Sequence, residues 1–193
     1  MFEQTQQSID FLARKIGQRQ GNGRLIIAID GRSGVGKSTL AAGLAQKMQA
    51  VCIEGDDFFA GGVDLREDAA EALAAACIDW RRQRRVLEQL KQGRSAQYNP
   101  FDWQAFDGSL SEIPVQVQAR EIILLEGVYS ARPELRDLVD LTVLVRLPEA
   151  ERQQRLLARE GEISDWERQW HRAEDWYFDN IAPESSFDLV VDG

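Results

Sequence analysis

The feature that most constrains the fold is a glycine-rich segment of eight residues, 31–38, with the sequence GRSGVGKS. It follows an apolar run, Leu25–Asp30, and precedes a helix-forming run, residues 39–45. A G-x-x-x-x-G-K-S pattern between a strand and a helix is typical of a phosphate-binding loop, or P-loop. The alternative is a glycine-rich turn that merely enters a helix. The strand and helix on either side favour the P-loop, which predicts a nucleoside triphosphate site.

The chemistry of a triphosphate explains the residue types in this segment. Glycines allow the backbone to approach the anion, so that its N–H groups and the positive end of the following helix point at the phosphates. Lys37 supplies a charge for the outer phosphates, and the Ser38 hydroxyl can bind Mg²⁺. The predicted nucleotide-binding residues are Gly31, Ser33, Gly34, Val35, Gly36, Lys37, Ser38 and Thr39.

Strand-like and helix-like segments alternate along the chain. The strand-like runs are 25–29, 51–53, 121–125, 141–147 and 187–191, and the helical segments are 38–49, 67–77, 80–92, 149–160 and 165–181. Several strand-like runs are apolar throughout, which indicates strands covered on both faces. We therefore predict a three-layer α/β/α P-loop NTPase fold with a mostly parallel five-stranded sheet, in one domain over residues 1–193. Residues 94–118 are predicted to form a loop with short strands, and Asp79 an N-cap.

Charge and composition exclude several functional classes. The formal net charge is −9 and no basic block stands out, so we expect no nucleic-acid partner. No apolar run approaches the ~20 residues that span a bilayer. Residues 1–20 read as an amphipathic helix with Phe2, Ile9, Leu12 and Ile16 on its apolar face, not as a secretory signal. Two cysteines give no disulfide framework, so a cytoplasmic location is expected.

Carboxylates follow two of the predicted strands. Glu126 follows the run 122–125, and Asp56 and Asp57 follow the run 51–53. Because ligands of α/β sheets bind at the carboxyl ends of the strands, these groups are candidates for holding Mg²⁺ and for orienting an acceptor hydroxyl. We predict Ser38, Glu126 and Asp56 as metal-binding residues. Only one of the two adjacent aspartates is expected to face the site, and the residues alone do not decide which.

Two helical patterns have a functional and a structural interpretation. Arg152, Arg155 and Arg159 lie on one helix face, where guanidinium groups can clamp a transferring phosphoryl group or form a solvated surface. Trp166, Trp170, Glu174 and Tyr177 also recur at helical spacing, and we interpret this stripe as core packing.

Taken in order along the chain, these motifs resemble the uridine kinase/phosphoribulokinase group of P-loop kinases. After the P-loop, the resemblance rests on Gly55-Asp56-Asp57-Phe58-Phe59, Ile78-Asp79-Trp80, Tyr98-Asn99-Pro100-Phe101-Asp102-Trp103, Leu125-Glu126-Gly127-Val128-Tyr129, the arginine-bearing segment and the final strand 187–193. It covers residues 24–193. Residues 98–107 lack the histidine of uridine kinases, and Phe59 stands where that family usually has tyrosine.

The resemblance implies an ATP- and Mg²⁺-dependent phosphotransferase that moves the γ-phosphate to a hydroxyl of a small molecule, as uridine/cytidine kinases do. It implies that Lys37, Asp56, Arg152, Arg155 and Arg159 are catalytic, and that Asp56, Phe59, Asp79 and Tyr98 contact the substrate. It also implies a lid over residues 148–164 and a substrate loop over 94–118.

Other functions remain open at this point. The acceptor can instead be a sugar acid, a vitamin riboside, pantothenate or a nucleoside monophosphate, or the chain can be a non-kinase regulatory ATPase. The Asn-Lys-x-Asp element of GTPase switches and the Ser-Gly-Gly-Gln signature of transporter ATPases are both absent from the sequence. The sequence also leaves a homo-oligomer open.

Overall fold

The fold is described from a computed structural model, which describes residues 2–19, 21 and 23–193. In chain order the elements are α1 (Phe2–Arg19), β1 (Leu25–Asp30), α2 (Lys37–Met48), β2 (Val51–Glu54), α3 (Ala70–Ala76), α4 (Trp80–Lys91), β3 (Ala96–Tyr98), β4 (Val115–Val117), β5 (Ile122–Glu126), β6 (Leu141–Arg146), α5 (Glu149–Glu160), α6 (Asp165–Asn180) and β7 (Leu189–Asp192). A short 3₁₀ turn, Gly55–Phe58, follows β2.

Five strands of the described chain form a parallel sheet in the order β2-β5-β1-β6-β7. The central strand β1 places Ile27 opposite Leu124 of β5 and Leu141 of β6. Because all five strands run the same way, the carboxyl ends of β1, β2 and β5 lie at one edge of the sheet, where the P-loop begins. The predicted parallel five-stranded sheet is confirmed.

Side chains alternate between two apolar layers, as the two-residue period of a strand requires. Ile27, Ile29 and Leu124 pack with α1 and α2 on one face of the sheet. Ile26 and Leu125 pack on the opposite face with residues of α3, α4 and α6. The three-layer α/β/α arrangement is therefore confirmed, and it explains why the strands are apolar throughout.

Two predicted elements are shorter in the structure. The helix predicted over 67–77 spans Ala70–Ala76, because the preceding chain runs along α6, where the Arg66 backbone N–H donates to the Gln169 side chain at 2.9 Å. The last strand begins at Leu189, since the Asp188 carboxylate accepts a hydrogen bond from the Thr142 backbone N–H at 2.8 Å.

The predicted amphipathic helix at the amino end is α1. Its residues Ile9, Leu12 and Ile16 are buried on the same face of the sheet as α2. The end residues Met1 and Gln20 of that prediction, and the side chain of Phe2, lie outside the described residues. Within the described part of the chain, no helix combines the length and apolar character needed to cross a bilayer.

The segment 94–118 forms an antiparallel hairpin of β3 and β4, in which Gln97 pairs with Gln116. The hairpin and the chain between its strands lie beside the 3₁₀ turn after β2, since the Phe101 backbone N–H donates to the Asp57 carbonyl at 2.8 Å. This contact brings the predicted substrate loop to the carboxyl edge of the sheet.

Candidate active site

The P-loop connects β1 to α2 and has the backbone conformation that the glycines predict. Gly34 and Gly36 have φ of +85° and +97°, a region that L-residues rarely adopt. Gly36 caps α2, and Lys37 and Ser38 begin the helix. The Lys37 side chain is buried, and its ammonium donates to the Arg32 carbonyl at 3.1 Å. The loop therefore presents backbone N–H groups, a helix amino end and a lysine at one place.

A buried carboxylate at the end of β1 fixes the start of this loop. Asp30 accepts hydrogen bonds from the backbone N–H groups of Gly31, Tyr129 and Ala131, at 2.8, 3.0 and 2.9 Å, and from the Tyr177 hydroxyl at 3.0 Å. Burial raises the pKa of Asp30 to about 6, against the opposing effect of these bonds. Asp30 thus ties the P-loop to the chain after β5 and to α6.

Glu126 lies at the carboxyl end of β5, as the sequence predicts. Burial raises its pKa to about 7; Lys37 and a hydrogen bond with Ser38 oppose this rise, and Asp56 adds to it. Gly127 has φ of +143°, and a Cβ there would lie 3.0 Å from the Gly55 Cα. The two glycines therefore let the ends of β2 and β5 approach closely, which brings the carboxylates after both strands together.

The structure separates the two adjacent aspartates. The Asp57 carboxylate accepts a hydrogen bond from the Tyr98 hydroxyl at 2.8 Å and is half-buried, and burial raises its pKa. Asp56 is exposed to a cavity, and its carboxylate has no hydrogen bond or ion pair with the described residues. Asp56 is the carboxylate left available to a ligand.

The other residues predicted to contact substrate have different surroundings. The Asp79 carboxylate caps α4 by accepting from the Arg82 backbone N–H at 3.0 Å, which confirms the predicted N-cap. Neither Asp79 nor Tyr98 lines the cavity, whereas Phe59 does. A direct substrate contact of Asp79 or Tyr98 stays a prediction.

The three arginines lie on α5, which packs over the P-loop through Leu156 and Gly34. Arg152 is buried, pairs with Glu149 and donates to the Ser33 carbonyl at 3.2 Å. Arg155 pairs with Glu151, and its guanidinium reaches to 3.5 Å from where a Cβ of Gly36 would lie.

Arg159 differs from the other two arginines because it lines the cavity, paired with Glu160 at 2.5 Å. Arg152 thus lies at Ser33 of the P-loop, Arg155 lies near Gly36, and Arg159 lies at the cavity.

A cavity of about 700 Å³ opens between the P-loop, the turn after β2, the loop 94–118 and α6. Five aromatic residues that line it are called here the aromatic box: Phe59, Trp103, Phe106, Trp166 and Trp170. Ring centroids within the box lie 5.1 to 6.4 Å apart. The remaining lining includes Ser33 of the P-loop, Asp56, Asp57 and Glu54.

One contact between α6 and the P-loop is not predicted by the sequence. Glu174 is buried and accepts from the Ser33 backbone N–H at 2.9 Å and from the Ser33 hydroxyl at 2.5 Å. The interpretation of the stripe on α6 as core packing is therefore wrong for Glu174, and incomplete for Trp166 and Trp170, which line the cavity. The available signal was an acidic residue in an otherwise aromatic stripe.

A family model described as AAA domain matches residues 27–176. No curated protein matches the sequence.

Among solved structures, a possible uridine kinase from Bacillus stearothermophilus is 25% identical, with 97% of this chain and 98% of that chain covered and a TM-score of 0.73. A candidate fructose transport system kinase from Silicibacter sp. TM1040 is 22% identical over 94% of this chain and 98% of that one, with a TM-score of 0.61. D-glycerate 3-kinase from Cryptococcus neoformans var. grubii serotype A is 14% identical over 92% and 88%, with a TM-score of 0.59.

These three proteins are all described as kinases, and all three share the fold of this chain. The matched family region begins in β1 and ends in α6, so it includes the P-loop, Asp56, Glu126 and the three arginines. The resemblance to uridine kinase-like P-loop kinases is thereby confirmed, and the chain belongs to the AAA domain family of P-loop proteins.

Proposed function

We propose that this protein is an ATP-dependent phosphotransferase that moves the γ-phosphate to a hydroxyl of a small molecule, as the similar possible uridine kinase suggests. The observation that carries the proposal is the position of the cavity. Ser33 of the P-loop lies on one side of it, and the unpaired carboxylate of Asp56 lies on another. A donor phosphate and an acceptor hydroxyl can therefore meet at this carboxylate.

The residues of the loop suit ATP and Mg²⁺. The backbone of residues 31–39 and Lys37 would hold the phosphates, since such N–H groups and a lysine charge favour an anion. The Ser38 hydroxyl lowers the pKa of Glu126 and the Asp56 charge raises it, which supports these three side chains as the Mg²⁺ ligands. The described residues contain no cluster of three or more His, Cys, Asp or Glu suited to a metal. A small donor set of this kind fits Mg²⁺, which keeps several waters and substrate oxygens as ligands.

When bound, Mg²⁺ would neutralise charge on the phosphates during transfer. The side chains of this chain supply the remaining functions. Asp56 would orient the acceptor hydroxyl and accept its proton, while Asp57 and Tyr98 hold the turn that carries it. Arg155 and Arg159 would add positive charge beside the transferred group, and Arg152 would support the loop through Ser33. Positioning and charge neutralisation would thus supply most of the rate.

We further propose that residues 1–193 act as one kinase domain in the cytoplasm, with a lid over 148–164 and a substrate loop over 94–118. The continuous sheet supports a single domain, and the hairpin docked against the turn after β2 supports the substrate loop. The small-molecule acceptor enters the cavity. A regulatory ATPase without an acceptor is the competing function, and an acceptor assay separates the two.

The test is release of ADP with and without acceptors from a panel of nucleosides, sugar acids, vitamins and amino alcohols. Wild-type protein is expected to release ADP at a rate that depends on one class of acceptor. Asp56→Asn should lose at least about 100-fold of that rate while ATP affinity is retained, because general-base help contributes that order of magnitude. Asp57→Asn is the matched control in the same turn. Equal losses in both variants, or ADP release independent of every acceptor, would overturn the proposal.

A further inference from the structure

The cavity combines an aromatic lining with excess negative charge. The carboxylates that line it are Glu54, Asp56, Asp57, Glu160, Glu167 and Glu174. The cationic or titratable basic side chains that line it, among the described residues, are Arg159 and His171. Arg159 is already paired with Glu160. Six carboxylates therefore face one arginine and one histidine, and this excess of negative charge disfavours an acceptor that carries a carboxylate or phosphate.

The aromatic box favours a ligand with a positive charge. The rings of Phe59, Trp166 and Trp170 lie edge to face, with centroids 5.4 to 5.8 Å apart, and Trp103 stacks near Phe106 at 24°. The faces of aromatic rings carry negative partial charge and attract cations within about 6 Å, tryptophan most strongly. Rings grouped around a cavity of about 700 Å³ are a recognised way of binding a flat or quaternary cation.

A carboxylate without a partner also lies at this cavity. Glu54, at the end of β2, lines the cavity and makes no hydrogen bond or ion pair with the described residues. This carboxylate is therefore available as the counter-charge of a cationic ligand.

We infer that the acceptor is an organic cation that carries a hydroxyl group, with its charged face against the aromatic box and Glu54 as its counter-charge. This inference rests on the phosphotransferase proposed above, and it selects among the acceptors that the sequence leaves open. It excludes sugar acids and nucleoside monophosphates. The hydroxyl of the acceptor lies toward Asp56, and the cationic group lies toward Trp103 and Trp166.

The test compares cations with neutral molecules of the same shape. Binding to the full-length protein is measured by titration calorimetry for hydroxyethylpyridinium and its neutral counterpart phenylethanol, for choline and its neutral counterpart dimethylbutanol, and for glycerate. Each cation is expected to bind about tenfold more tightly than its neutral counterpart, the order of a desolvated cation–π contact with a nearby carboxylate. Glycerate is expected to bind most weakly. Equal affinities within each pair, or tighter binding of glycerate, would overturn the inference.

Variants locate the effect. Trp166→Leu should weaken cation binding about fivefold or more. Trp176→Leu is the matched control on the same helix, because Trp176 lies outside the cavity lining, and it should leave binding unchanged. Glu54→Gln should reduce the preference for the cation over its neutral counterpart without changing affinity for the neutral molecule. A cation preference that survives both Trp166→Leu and Glu54→Gln would refute the site.

Binding and turnover separate this inference from the proposed function. If cations bind in the box but no acceptor is phosphorylated, the ligand class stands and the phosphotransferase proposal fails. If a sugar acid or a nucleoside monophosphate is phosphorylated efficiently while cations do not bind, the phosphotransferase stands and the inference fails.

Discussion

Substitution of Gly127 by alanine tests how the two carboxylates at the sheet edge are brought together. Gly127 has φ of +143°, a conformation that costs a non-glycine residue about 1–3 kcal/mol. The added Cβ would also lie 3.0 Å from the Gly55 Cα and 3.3 Å from the Gly55 nitrogen. Because these neighbours are backbone atoms, β2 and β5 must move apart. We expect strain and lost packing to destabilise the fold by about 3 kcal/mol in total.

The expected change in melting temperature follows from the size of the chain. With about 2.1 cal/mol/K of unfolding entropy per residue, 193 residues give about 0.4 kcal/mol/K, so 3 kcal/mol lowers Tm by about 7 °C. Circular dichroism during thermal unfolding measures this shift.

Gly17→Ala is the matched control, because Gly17 lies exposed in α1 with open space around its Cα, and alanine there should raise Tm by about 1–2 °C. A Tm for Gly127→Ala within about 2 °C of wild type would refute the close approach of β2 and β5 as the structure has it.

Three further predictions concern the nucleotide site, α5 and the cavity. Lys37→Met should weaken ATP binding about tenfold to 100-fold, measured with a fluorescent nucleotide, because a charged hydrogen bond is lost. The Arg152 guanidinium lowers the pKa of Glu149 to about 2. The free energy of unfolding of wild type should therefore exceed that of Glu149→Gln above pH 4.5, and this difference should vanish as the pH falls toward 2. A difference that does not change with pH would contradict this pairing. A Cβ at Gly61 would lie 2.2 Å from the Trp170 ring and would displace it. Gly61→Ala should therefore raise the KM for the acceptor several-fold and leave the KM for ATP unchanged. A parallel rise in both KM values would contradict this prediction.

The sheet and its P-loop could be predicted because each signal is local. The alternation of apolar runs with helical segments gives the parallel sheet, and the carboxyl ends of parallel strands meet at one edge whatever the connecting loops do. Glu126 and Asp56 were therefore placed correctly at that edge from their positions after two strands. The choice between Asp56 and Asp57 could not be made, because it depends on Tyr98, which is distant in sequence and reaches Asp57 only through the hairpin.

The parts that the sequence did not reveal depend on tertiary packing. Glu174 has the same helical spacing as the buried aromatic residues beside it, so only the docking of α6 on the P-loop distinguishes a contact with Ser33 from core packing. Trp103 and Phe106 lie in an irregular segment whose position is set by the bridge of Phe101 to Leu110 and by the turn after β2. Periodicity carries no information on such a segment.

The proposed reaction transfers the γ-phosphate of ATP to the hydroxyl of a molecule held in the cavity. The most direct measurement incubates the protein with ATP labelled in its γ-phosphate and with the acceptor that binds most tightly, and follows the label by chromatography and mass spectrometry. We expect label on the acceptor hydroxyl with wild-type protein and almost none with Asp56→Asn, which still binds ATP. Label recovered only as inorganic phosphate, with the same yield whether or not the acceptor is present, would contradict it.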